Sequence, residues 1–72
     1  MNLIEGLQTE MNRVREIIAE YEQIPGGQFA AAVMEAEIEV AENAIAWGNT
    51  VAMVRQLKNL KEYTLWNKRT WN

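Results

Sequence analysis

The chain has 72 residues, seven Lys or Arg against ten acidic residues that are all Glu, and no His, Cys, Ser or Asp. Those absences exclude Ser–His–Asp and Cys–His nucleophiles, His–Cys zinc sites and disulfides. Charge is sorted along the chain: residues 1–49 carry nine Glu against Arg13 and Arg15, net −7, and residues 50–72 carry Glu62 against five cations, net +4.

Such polarity predicts that the basic end pairs with the acidic helices of its own chain, with another copy, or with an anionic partner. With Glu, Lys, Arg, Tyr and Thr as the reactive inventory, the composition points to binding rather than catalysis, with no enzyme activity, cofactor or metal site expected. No apolar run reaches the roughly 18–20 residues that span a bilayer, and the amino end has no basic n-region or apolar h-region, so the expected location is cytoplasmic, without a membrane partner. A chain below about 70–80 residues rarely draws more than ~3–5 kcal/mol from one core. With 49% apolar residues and no disulfide, a homo-oligomer is expected.

The first predicted helix covers about residues 3–23. Ile4, Leu7, Met11, Val14, Ile18 and Tyr21 recur at steps of three and four, with Leu3 and Ile17 widening the stripe. Three unbroken heptads also suit a coiled-coil seam, so this helix packs either on its own chain or on the same helix of a second copy. Leu7, Met11, Val14 and Ile18 are the expected oligomer contacts. Pro25 then ends the helix, and Gly26–Gly27 supply the turn.

A second helix is predicted over about 28–47 in an Ala-rich stretch. It shows two apolar stripes: Phe29, Val33, Ala36, Val40, Ala44 and Trp47 form one, and Ala30, Ala31, Met34, Ile38, Ala41 and Ile45 form the other. Two stripes call for two neighbours. Trp47, beside the helix-ending Gly48, is expected to plug the core or an interface. Asn49 or Thr50 then caps a third helix over about 50–66, with Val51, Met53, Val54, Leu57, Leu60 and Leu65 on its apolar side, followed by a tail at 67–72. The fold expected is all-α, a single domain over 1–72. Its form is a three-helix bundle, or an αα-hairpin with a coiled-coil-like first helix, in an oligomer.

The stretch Ile24-Pro25-Gly26-Gly27 with Phe29-Ala30-Ala31, followed by Ala41-Glu42-Asn43-Ala44-Ile45-Ala46, Gly48-Asn49-Thr50 and Val51-Ala52-Met53-Val54, resembles small phage and prophage proteins of unassigned function over roughly residues 11–62. The resemblance implies a non-enzymatic inhibitor of host machinery or of bacterial immunity, acting in the host cytoplasm.

Two constellations stand out as binding candidates. Glu35, Glu39 and Glu42 share one face of the second helix at i, i+4 and i+7, where like charges call for solvent or for cations such as Arg55, Lys58 and Lys61. In the tail, Trp66 and Trp71 alternate with Lys68 and Arg69, a mixture suited to base stacking, phosphate contact or protein hot spots. The topology is expected to return this tail to the Gly26–Gly27–Gln28 turn. There the first amides of the second helix have no acidic side chain nearby, and an anion is favoured.

Gly26, Gly27, Gln28, Trp66, Lys68, Arg69 and Trp71 are therefore the expected recognition residues. The partner expected is a host defence protein or a phosphorylated nucleotide used as its signal; the net charge of −3 argues against double-stranded nucleic acid. A structural homo-oligomerisation module is the alternative.

Overall fold

A computed structural model describes residues 2–64 as three antiparallel-connected helices: α1 at Leu3–Glu22, α2 at Gln28–Trp47 and α3 at Thr50–Lys61. Each helix packs against the other two, so the fold is an all-α three-helix bundle. No described helix is long and apolar enough to cross a membrane.

Local chemistry sets the ends. Asn2 opens α1 with a capping box: its side-chain oxygen accepts from the Glu5 amide at 2.8 Å, and Glu5 Oε1 accepts from the Asn2 amide at 3.4 Å. After α1, the amides of Gln23, Ile24 and Gly27 donate to Glu20, Tyr21 and Ile24 in tight turns, and Gly26 takes φ 83°, which favours glycine. Gly27 is needed for space instead, because a Cβ there would collide with the Tyr21 carbonyl oxygen.

Helix α2 ends on Gly48 in the left-handed region at φ 66°. The Gly48 and Asn49 amides return to the carbonyls of Ile45 and Ala44 at 3.1 and 2.9 Å, a Schellman closure. Asn49 then caps α3 by accepting from the Ala52 amide at 3.1 Å. The choice between Asn49 and Thr50 falls to the residue whose backbone is still extended.

The core is built from Leu7, Met11, Val14, Ile17 and Ile18 of α1, from Ala31, Met34, Ile38, Ala41 and Ala44 of α2, and from Met53 and Leu60 of α3. Leu7, Val14 and Leu60 are fully buried. This corrects the expectation for α1: Leu7, Met11, Val14 and Ile18 do not face a second copy but fill the space between α1, α2 and α3 of their own chain. The heptad seam is spent internally because the Pro25–Gly27 turn folds α2 directly back onto it.

Helix α3 is shorter than its sequence suggested. It stops at Lys61 rather than near residue 66, and Glu62, Tyr63 and Thr64 are not helical. The cause lies on α1. Arg13 donates from Nη2 to the Leu60 carbonyl at 2.8 Å and from Nη1 to the Tyr63 carbonyl at 2.7 Å, while Glu10 holds its Nε at 2.8 Å. A guanidinium thus satisfies carbonyls that another helical turn would have used, and it does so at the negative end of the helix dipole.

One buried polar side chain fixes α3 against α2. Gln56 sits in the core face of α3, donates to the Glu37 carbonyl at 3.1 Å and to Glu37 Oε1 at 2.9 Å, and accepts from Asn59 at 3.1 Å. Its amide group is satisfied on both sides, as burial demands. The bond also aligns the helices, placing Gln56 level with Glu37.

Candidate interaction face

Of the two apolar stripes on α2, the one carrying Ala31, Met34, Ile38 and Ala41 is buried, and the one carrying Phe29, Val33, Ala36, Val40 and Trp47 is exposed. Ala44, assigned to the outer stripe on spacing, belongs to the core at the border with α3. Phe29 and Trp47, at opposite ends of the stripe, are 80% and 83% exposed. Trp47 therefore does not plug the core. The stripe runs about 27 Å along α2 at 1.5 Å per residue.

Its neighbours differ in charge. On the α1 side lie Glu35, Glu39 and Glu42. The expected pairing of these carboxylates with the cations of α3 is not what forms: Glu42 pairs with Arg15 of α1 at 2.8 Å, an exposed contact. Among the described residues no carboxylate lies within ion-pair distance of Arg55, Lys58 or Lys61. The reason is rotational, since the helical repeat turns Glu35, Glu39 and Glu42 toward α1 and Glu37 toward α3. On the α3 side, Arg55 and Val51 fall on the shoulder of α3 next to α2, and both are exposed.

Tyr63 closes the α2–α3 seam beyond Gln56. Its hydroxyl pKa is raised above 10.0, first by burial, then by the charge and hydrogen-bond acceptance of Glu37, and last by Glu62. The surface grooves differ in charge: the one lined by Ala32, Glu35, Ala36, Ile38, Glu39 and Glu42 is acidic, whereas the one lined by Arg15, Ile18, Glu35 and Ile38 and the one that holds Glu10, Leu57 and Lys61 carry both signs. The three carboxylates of the first groove repel phosphate.

The expected recognition end is only partly described. Gly26 and Gln28 are exposed, Gly27 is buried, and α2 starts without a side-chain cap or an acidic residue in its first turn. Trp66, Lys68, Arg69 and Trp71 lie outside the described residues. Within them, α3 does not carry the chain to the turn as expected, because Arg13 holds its end while α1 continues nine residues to Glu22, about 14 Å at 1.5 Å per residue.

The sequence missed three functional side chains of this architecture: Asn2 as a cap, Arg13 as the clamp on α3, and Gln56 as its aligning bond. Asn2 with Glu5 was legible as a capping box; the other two act across 47 and 19 residues and leave no local signal.

No family model, curated protein or solved structure matches the chain.

Proposed function

We propose that this chain is a non-enzymatic helical binding module whose recognition surface is the outer stripe of α2, with Trp47 as its principal anchor. The observation that carries the proposal is the outward placement of Phe29 and Trp47, with Val33 and Val40 between them, on a helix whose inner face already completes the core. Contiguous exposed apolar surface of this kind marks protein interaction sites, and a Trp surrounded by smaller apolar residues has the composition of a hot spot. A helix face reads its partner through residues at i, i+4, i+7 and i+11, which is the spacing of Phe29, Val33, Ala36 and Val40.

The acidic groove of Glu35, Glu39 and Glu42 beside the stripe favours a protein over a phosphorylated nucleotide as the bound species. For a chain resembling phage accessory proteins, the corresponding role is neutralisation of a host protein by direct contact. The test compares the intact chain with Val40→Ser/Trp47→Ser, both first shown to be equally helical and cooperatively folded. A partner captured from bacterial extract by the intact chain should be lost by the double variant and kept by Glu35→Gln/Glu39→Gln. Equal capture by the intact chain and the double variant overturns the assignment of the face.

A further inference from the structure

The stripe on α2 has a heptad register as well as an apolar surface. Val33, Val40 and Trp47 recur every seven residues, and Phe29, Ala36 and Asn43 fall four residues before each of them. This order puts Val33, Val40 and Trp47 at the a positions and Phe29, Ala36 and Asn43 at the d positions, without the leucines at d that select two parallel strands, so the direction of pairing is left to charge. Glu39 is then the flanking g position on the α1 side, whereas the opposite flank of α2 is occupied by α3.

We infer that the occupant of this face is a second copy of the chain, docked α2 against α2 in parallel about a two-fold axis that runs along the stripe. The inference rests on the assignment of the outer stripe as the binding surface: the second copy covers the stripe in the free protein, and a host protein bound at the same face takes its place. Charge decides the direction. In a parallel pair the two-fold axis brings the Glu39 flank of one copy against the Arg55 flank of the other, whereas an antiparallel pair sets Glu39 flank against Glu39 flank.

Height agrees with charge. The Gln56–Glu37 hydrogen bonds make those residues level, so Arg55 lies about 1.5 Å and Glu39 about 3 Å from that level toward the Gly48 end, at 1.5 Å per residue. A parallel pairing preserves height, so Arg55 of each copy, which has no carboxylate partner among the described residues, faces Glu39 of the other, twice per dimer. The interface is isologous, as closed two-fold assemblies require.

The chain contains no Cys, so an introduced thiol reports its own position. Val33 and Asn43 are equidistant from the level of Ile38, which lies on the inner face halfway between the heights of Phe29 and Trp47. In the parallel dimer, Val33→Cys links to itself and Asn43→Cys links to itself through a short bis-maleimide. An antiparallel pairing centred on the stripe separates each from its own counterpart by about 15 Å and instead links the two variants when mixed. Glu39→Arg and Arg55→Glu each replace attraction by repulsion at two symmetric contacts and should raise the dimer Kd about tenfold, with Glu39→Arg/Arg55→Glu restoring it.

Sedimentation of the intact chain and of Val40→Ser/Trp47→Ser completes the test: the intact chain should be dimeric and the variant a folded monomer. An intact chain that stays monomeric at 100 micromolar (about the top of a routine dilution series, a Kd worth only ~5.5 kcal/mol) overturns the second copy as occupant and leaves the stripe free for another protein. A dimer that cross-links only in the mixture overturns the parallel arrangement. A dimer untouched by Val40→Ser/Trp47→Ser overturns both the inference and the assignment of the face.

Discussion

The two faces of α2 are both apolar, and they are built from different residues. The inner face holds Ala31, Met34, Ile38, Ala41 and Ala44, alanines with one Met and one Ile, all buried in the core that α2 shares with α1 and α3. The outer face holds the aromatics and the valines. In a chain that folds only for itself, the larger apolar side chains give most when buried, at about 1.5–3 kcal/mol each, and leaving Phe29 and Trp47 in water forgoes that gain. The contrast separates two roles on one helix: the inner residues complete the core, and under the proposed function the aromatics and valines outside are left for a partner.

The largest expected effect separates the faces directly. Ile38→Ala, on the inner face, should destabilise the folded chain by about 2–5 kcal/mol through lost burial and a residual cavity. Val40→Ala, two residues away on the outer face, should leave monomer stability within about 0.5 kcal/mol, because a solvated side chain is exchanged for a better helix former. Chemical denaturation at low concentration measures both. Similar losses at the two positions would mean that Val40 is covered in solution even in the monomer, which would break the comparison. Val14→Glu belongs with Ile38→Ala: a carboxylate at a fully buried position should unfold the chain rather than dissociate an assembly.

Much of this was legible in the sequence, for reasons tied to particular residues. The bounds of α1 and α2 follow from local chemistry, since Pro25 and Gly48 stop helices wherever they occur in such patterns, and both apolar stripes of α2 were visible as periodicities. Which stripe faces inward was not visible. Periodicity reports only that a face is apolar, and two stripes were expected to meet two neighbours. Likewise α1 showed a seam that fits its own chain or a second copy equally well, and only the closeness of α2 and α3 decides between them. The shortening of α3 depends on Arg13, whose partners are carbonyl groups of the backbone and therefore have no residue type to recognise. The recognition end built around Gly26, Gly27 and the tryptophans of the tail rested on α3 carrying the chain toward that turn; α3 ends at Lys61, and Trp66, Lys68, Arg69 and Trp71 lie outside the described residues.

A smaller effect sharpens the comparison from the side of α3, whose position limits how much of α2 is covered. Arg13→Met keeps most of the aliphatic stem but removes both charge-assisted hydrogen bonds to the Leu60 and Tyr63 carbonyls. Stability should fall by about 1.5–3 kcal/mol. Hydrogen exchange should locate the loss at the last turn of α3, with the amides of α1 and of the α2 core face keeping their relative protection. A uniform loss across all three helices would mean that Arg13 supports the whole core and not the end of α3.

The smallest effect is a pH dependence at the far end of the same seam. Burial and the carboxylates of Glu37 and Glu62 raise the Tyr63 hydroxyl above its ordinary value of 10.0, so the folded chain holds this proton more tightly than the unfolded chain. The stabilisation is complete below pH 10 and is lost as pH rises through the folded value, because ionisation places a phenolate beside Glu37. Tyr63→Phe cannot ionise. The stability of the intact chain relative to this variant should therefore decline as pH rises above 10 and through the folded value. The decline should stay under about 1 kcal/mol, since solvent screens a half-buried group. Parallel denaturant titrations of the two chains across that range measure it. A difference that stays flat would show that Tyr63 does not lean on Glu37 in solution, and that Gln56 alone holds α3 beside the outer face of α2.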